Sequence, residues 1–258
     1  MRDAAPLALV ALLLTGCGGS PDSRTTAGGL AGDAAASGTG GEVTVLAAAS
    51  LTRPFTALAE AYEATHPGTR VRLSFGSSTT LAQQVAQGAD ADLLATAGTA
   101  ALEQLGDVEP TATTTIARNT LEIATPTDNP AGVAGLSDLA RDDVDVVLCA
   151  ASVPCGKAAD EVLRRAGVTP HVVSREVDVA ATLAKVTLGE ADAAVVYHSD
   201  VVSSRGRVAG IQIPAAQNAT LTYPLARFGD EAAAAAFAAH VAGPEGLAVL
   251  ASAGFLPP

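Results

Sequence analysis

The chain has 258 residues, enough for one large domain or two modest lobes. Hydrophobic residues make up 48% but aromatics only 3%, and there is no Trp, so the core must be built from Ala, Val and Leu. A formal net charge of -12 excludes an electrostatic grip on nucleic acid or on anionic lipid headgroups, and any anion site must be local and made by short-range donors.

The N-terminal run "MRDAAPLALVALLLTGC" places Arg2 ahead of an uncharged stretch from Ala4 to Leu14. That stretch is too short to cross a bilayer as a mature helix. It ends in Leu14-Thr15-Gly16-Cys17, which resembles the lipobox of bacterial lipoproteins. The resemblance implies a signal peptide over 1–17, cleavage before Cys17, acylation of that cysteine, and an extracytoplasmic, lipid-anchored location. The alternative is an ordinary signal peptide that happens to contain a Cys. From Gly18 to Gly41 the chain is almost all Gly, Ala, Ser and Thr, which reads as a flexible tether.

From Glu42 short β-rich runs alternate with helical patterns. "EVTVLAAA" predicts a strand, and "RPFTALAEAYEAT" a helix with Phe55, Leu58 and Tyr62 on one face, stopped by Pro67-Gly68. "RVRLSF" predicts a second strand, "TLAQQVAQ" a short helix closed by Gly88, and "ADLLATA" a third strand. "TLEIATP", "VDVVLCA" and "AAVVYHS" are further strands, and "GKAADEVLRRAG" and "VDVAATLAKVTLG" further helices, each ending at a Gly. This alternation argues for an α/β fold with largely parallel sheets. Two stretches read as crossings between lobes: "NTLEIATPTDNP", running into Pro126 and Pro130, and "LTYPLARF", interrupted by Pro224. They divide the body into lobe 1 (42–122 with 222–258) and lobe 2 (123–221), joined by a hinge with a ligand cleft between them.

Hydroxyl and small residues lie just before the predicted helices. Ser50 precedes the first, and Ser77, Ser78, Thr79 and Thr80 precede the second. "SVPCGK" leads into the third and Asp178-Val179 opens the fourth. Helix starts carry unpaired N–H groups and a partial positive charge, so they suit anions. At any single junction plain N-capping explains the residue equally well.

Together "AAASLT", "FGSSTTLAQQVAQGADADLLATA", "VPCGKAADEVL" and "GEADAAVVYHSDV" resemble, in order and spacing, the molybdate-binding proteins of bacterial ABC importers. The likeness runs from Val43 to about Pro257. It implies the type II periplasmic-binding-protein fold and an oxyanion held by neutral donors at Ser50, Ser78, Cys155, Val179 and Tyr197. Ser77 and Thr79 are neighbouring candidates, because the hydroxyl run could shift by one. Ser50 and Ser78 would donate through hydroxyl and backbone N–H, Cys155 and Val179 through backbone N–H, and Tyr197 through its phenol. The ligand is then molybdate or tungstate, bound through its oxygens, with no metal cation ligand and no cofactor. The partner is an ABC permease, and the protein a monomer touching the membrane only through its anchor. The chain departs from the family at Cys155, where Ala is common, and at Ala158, where an aromatic is usual.

No G-x-S-x-G, H-E-x-x-H or Walker A pattern is present, and His66, His171, His198 and His240 lack ligand spacing, which argues against an enzyme. Asp90 and Asp92 form a D-x-D pair that reads as a structural cap before a catalytic dyad. Open alternatives are another oxyanion or small organic anion on the same fold, and a surface enzyme. Once Cys17 is acylated, Cys149 and Cys155 are the remaining cysteines, and outside the cytoplasm they are expected to form a disulfide; two free buried thiols are the alternative.

Overall fold

The structure, a computed structural model, describes residues 40–258. The leader, the acylation site Cys17 and nearly all of the tether lie outside the described residues. In chain order, β1 (Gly41–Ala48) passes through a 3-10 turn (Ala49–Leu51) into α1 (Thr52–Thr65), and β2 (Thr69–Gly76) leads to α2 (Ser78–Ala86). β3 (Leu93–Ala95) and the long β4 (Ala112–Thr125) follow. Then come β5 (Val146–Cys149), α3 (Pro154–Ala166), β6 (Val172–Glu176), α4 (Val179–Thr187), β7 (Ala193–Tyr197), α5 (His198–Ser203) and β8 (Ala209–Gln212). The chain closes with β9 (Thr220–Arg227), α6 (Ala232–Ala242) and α7 (Pro244–Ser252).

The strands lie in the order β2-β1-β3-β9-β4-β7-β5-β6, with β8 added on β4. β1 pairs in parallel with β2 and β3, and β5 in parallel with β6 and β7. The two parallel groups are joined by antiparallel strands. The first part of β4 pairs with β9, from Ala112↔Arg227 to Thr120↔Thr220, and its last part with β7 and β8. One long strand is thus shared by two sheets, and the chain crosses between them along β4 and again at the start of β9.

Each helix forms where the sequence lets it bury one face. α1 turns Phe55, Leu58 and Tyr62 inward, each no more than 2% exposed. Tyr62 meets Phe237 of α6 edge-on, with ring centroids 5.2 Å apart. α3 begins on Pro154 and stops at Gly167, whose φ of 68° is the left-handed conformation glycine adopts without strain. Elsewhere the core is mostly Ala, Val and Leu, with Tyr197, Tyr223, Phe255 and three isoleucines among them.

Three features differ from the sequence-based expectation. β4 runs from Ala112, well before "TLEIATP", because its exposed N-terminal threonines carry no apolar alternation. "LTYPLARF" is a continuous strand in which Pro224 faces Thr115 at a bulge, so no ladder bond needs its missing N–H; its carbonyl accepts from Thr96 N at 3.0 Å. α6 is "AAAAAFAAHVA", apolar all round, so no amphipathic period announces it. Asp92 is a structural clamp: its Oδ2 accepts from Thr44 N at 2.7 Å, tying β1 to the approach of β3. Asn218 likewise staples the crossing, bonding both the N–H and the carbonyl of Leu121.

Candidate functional site

The C-terminal ends of β1, β2, β5, β6 and β7 point toward one small cavity. That is where ligands sit in open α/β sheets, because the following helices start there with unpaired N–H groups. Ser50 comes from the turn after β1, Ser77 and Ser78 from the start of α2, and Cys155 from the first turn of α3. Val179 opens α4, and Tyr197 ends β7. The space open to water-sized atoms is about 20 Å³, little more than one such atom needs.

The hydrogen bonds around the cavity leave protons over. Ser78 Oγ accepts from Ala97 N at 2.9 Å, so its own proton remains to be given. Ser50 Oγ lies 3.0 Å from Tyr223 Oη, and Asn119 Nδ2 donates to that same phenol at 3.4 Å and to Ser199 Oγ at 2.8 Å. With Asn119 supplying Tyr223, the phenol donates to Ser50, whose proton is then free for the cavity. Ser77 Oγ and Tyr197 Oη are buried with no partner among the described residues. Two orphaned hydroxyls lining one hollow are costly unless a ligand satisfies them. Val179 follows Asp178, whose carboxylate caps α4 by accepting from Ala181 N at 2.9 Å.

Asp178 is the one charged residue in the lining, and one oxygen of its carboxylate accepts the cap bond. No Lys or Arg enters. Burial pushes the Tyr197 phenol well above its usual pKa, helped by Tyr223 and Asp200, so it stays a donor at all working pH values. Such a site is rich in hydrogen-bond donors, which is the pattern for a fully deprotonated oxyanion. Among the described residues no group of His, Cys, Asp and Glu could hold a metal ion.

Beneath Tyr197, Asp200 Oδ2 accepts from Tyr197 N at 3.0 Å. Burial raises the Asp200 carboxyl from 3.8 to about 7, against the lowering effect of that bond. The folded state therefore binds the proton more tightly than the unfolded one. Stability is full below about pH 4 and falls as pH rises through 7, by a total on the order of 4 kcal/mol. Asp200→Asn, which keeps an acceptor for Tyr197 N, is expected to flatten that fall. Urea unfolding at pH 5 and pH 8 checks it; parallel pH profiles for the two proteins would show that the buried carboxyl is not the source.

Of the sequence-derived candidates, Ser50, Ser77, Ser78, Cys155, Val179 and Tyr197 all line the cavity. Thr79 does not; its hydroxyl donates to the Ser152 carbonyl at 3.2 Å. Ala158 lines an adjoining hollow of about 420 Å³ together with Lys157 and Arg165. Tyr223, Asn119 and Gly156 carried no motif. Their roles depend on neighbours 173, 104 and 80 positions apart in the chain for the first two, and on a backbone contact with Ala150 for the third.

Cys149 and Cys155 are bridged, with Cα atoms 5.8 Å apart. The bridge ties the end of β5 to the turn that carries the Cys155 N–H. Closing so short a loop contributes about 2–2.5 kcal/mol by chain entropy. Cys149→Ser/Cys155→Ser is expected to lose that stability in urea unfolding and to weaken ligand binding several-fold, because the donor must be ordered at binding. Alkylation before and after reduction, read by intact mass, checks the bridge itself. Unchanged binding in the double variant would limit the bridge to stability.

Two sheets joined by crossing strands, with a small donor-lined cavity at their strand ends, define a binding protein of the type II periplasmic-binding-protein fold. The chain belongs to the bacterial extracellular solute-binding protein family, whose profile matches residues 43–256. It is 34% identical over 250 residues to the molybdate-binding protein ModA of Mycobacterium tuberculosis, covering 95% of this chain and 93% of that one. It is 29% identical over 189 residues to the putative ABC transporter substrate-binding lipoprotein YvgL of Bacillus subtilis, covering 71% and 73%. The periplasmic molybdate-binding protein of Azotobacter vinelandii superposes with a TM-score of 0.73 at 20% identity, over 84% of this chain and 99% of that one.

Proposed function

We propose that the protein captures molybdate, and tungstate with it, outside the cytoplasm and delivers it to an ABC permease, held at the membrane by a lipid on Cys17. The observation that carries this reading is the pair of orphaned hydroxyls, Ser77 and Tyr197, in a hollow otherwise lined by helix starts and by Ser50 and Ser78. A tetrahedral dianion brings acceptor oxygens and no proton, so donors alone satisfy it. Each charge-assisted bond contributes roughly 1.5–3 kcal/mol. Sulfate is smaller and leaves some donors stretched. The names borne by the relatives support molybdate as the oxyanion. No cofactor is needed for capture. The lobes 42–122 with 222–258 and 123–221 close on the anion about the β4 and β9 crossings, and the permease reads the closed form.

Calorimetric titration of the protein, dialysed free of anions, tests the proposal. Molybdate and tungstate should each bind one site, sulfate more weakly, and phosphate should fail to displace molybdate. A ligand at about 100 times its dissociation constant should also add roughly 2.7 kcal/mol of stability. An unchanged melting temperature and no heat with either metal oxyanion would reject it.

A further inference from the structure

A second hollow of about 220 Å³ meets the first at Ala49 and Ser50 but is otherwise lined by different residues. Thr52 and Arg53 enter it from α1, Thr187 from α4, Asp200 from α5, and Ser204 and Arg207 from the segment after α5. The Ser204 hydroxyl is buried, its residue 2% exposed, and has no hydrogen-bond partner among the described residues. Arg53 Nη1 donates to the Ser203 carbonyl and Arg207 Nε to the Ser204 carbonyl, the latter at 3.2 Å. Among the described residues no carboxylate lies within ion-pair distance of either guanidinium. In a chain with a formal net charge of -12, two arginines without a carboxylate partner lining one hollow with an orphaned hydroxyl are unusual. They match a small oxyanion, which planar N–H forks bind well.

One lining group sets the kind of oxyanion. Asp200 also lines this hollow; Oδ2 of its carboxylate accepts from Tyr197 N, and its Oδ1 is an acceptor beside the donors. An oxyanion that keeps a proton can give it to Asp200; one without a proton cannot. We propose that this hollow is a second anion site that binds inorganic phosphate as hydrogen phosphate, held by Arg53, Arg207 and Ser204 and oriented by Asp200. Arg53 and Thr52 belong to the helix after β1, whereas Ser204 and Arg207 follow β7. Phosphate thus bridges the two halves and favours the closed form, so it should tighten molybdate capture. That coupling rests on the capture reading; phosphate binding itself does not.

Calorimetric titration with inorganic phosphate at pH 7.5 and fixed ionic strength, with and without saturating molybdate, tests both. One phosphate should bind in each case. Saturating phosphate should raise molybdate affinity about fivefold or more, with the reciprocal gain for phosphate. Sulfate, which carries no proton, should bind this site at least about tenfold more weakly. Arg207→Gln, at an exposed position, and Ser204→Ala should each weaken phosphate about tenfold or more while leaving molybdate affinity in phosphate-free buffer unchanged. Absence of phosphate heat at millimolar concentration, simple competition with molybdate, or an unaltered Arg207→Gln would overturn the site. If molybdate fails to bind at all, the phosphate titration of the two variants still decides the matter.

Discussion

Gly156→Ala is expected to weaken molybdate binding about 100-fold or more while most of the chain stays folded. A Cβ at this position would lie 2.0 Å from the Ala150 carbonyl oxygen, 2.6 Å from its carbon and 2.8 Å from the Cys149 carbonyl oxygen. These are backbone atoms that cannot swing away. Cys149 is bridged to Cys155, and its carbonyl also accepts from Arg175 Nη1 at 3.0 Å. The first turn of α3 must move instead, at an overpacking cost of about 1–3 kcal/mol. That turn carries the Cys155 N–H into the cavity, and a displacement on the order of 1 Å takes a donor out of hydrogen-bond range. Gly246→Ala is the control. Its Cβ would lie 2.1 Å from the Val241 carbonyl oxygen, at the α6–α7 junction and away from the cavity lining. It should destabilise comparably and leave affinity unchanged. Wild-type affinity in Gly156→Ala would show that the start of α3 does not hold the ligand.

Tyr197→Phe should move binding and stability in opposite directions. Removing one donor to a bound anion costs about 1.5–3 kcal/mol, or about 10–150-fold in affinity. In the unliganded protein the same phenol is buried without a partner. Deleting it removes an unsatisfied group and should stabilise the empty fold by up to about 1–3 kcal/mol. Calorimetry and urea unfolding of the anion-free protein read the two quantities separately. A variant that binds as well as wild type would remove Tyr197 from the donor set, and one that loses stability when empty would make it a structural residue.

What sequence could reveal followed the range over which each signal acts. The strand-to-helix junctions at Ser50, Ser78, Cys155 and Val179 were legible because capping chemistry and periodicity are local, and all four line the cavity. The end of β4 and the helices α1 and α3 were legible for the same reason, since each has an apolar face against polar surroundings. The start of β4 and all of α6 were not, because an exposed threonine run and an alanine-rich helix that is apolar all round have no such contrast. Tyr223 and Asn119 were invisible for a different reason: their work is to aim the Ser50 proton, across 173 residues in the case of Tyr223. The choice among Ser77, Ser78 and Thr79 also needed coordinates. The backbone turn at the start of α2 leaves Ser77 Oγ orphaned in the hollow, lends Ser78 Oγ to Ala97 N, and sends Thr79 to Ser152.

The central claim is that one oxyanion sits among these particular donors. Diffraction from crystals grown with molybdate, recorded near the molybdenum absorption edge, tests it most directly. The account predicts a single anomalous peak in the cavity, with its oxygens within about 2.7–3.2 Å of donors at Ser50, Ser77, Ser78, Cys155, Val179 and Tyr197. A peak at Arg53 and Arg207 only, or no peak at saturating molybdate, would contradict it.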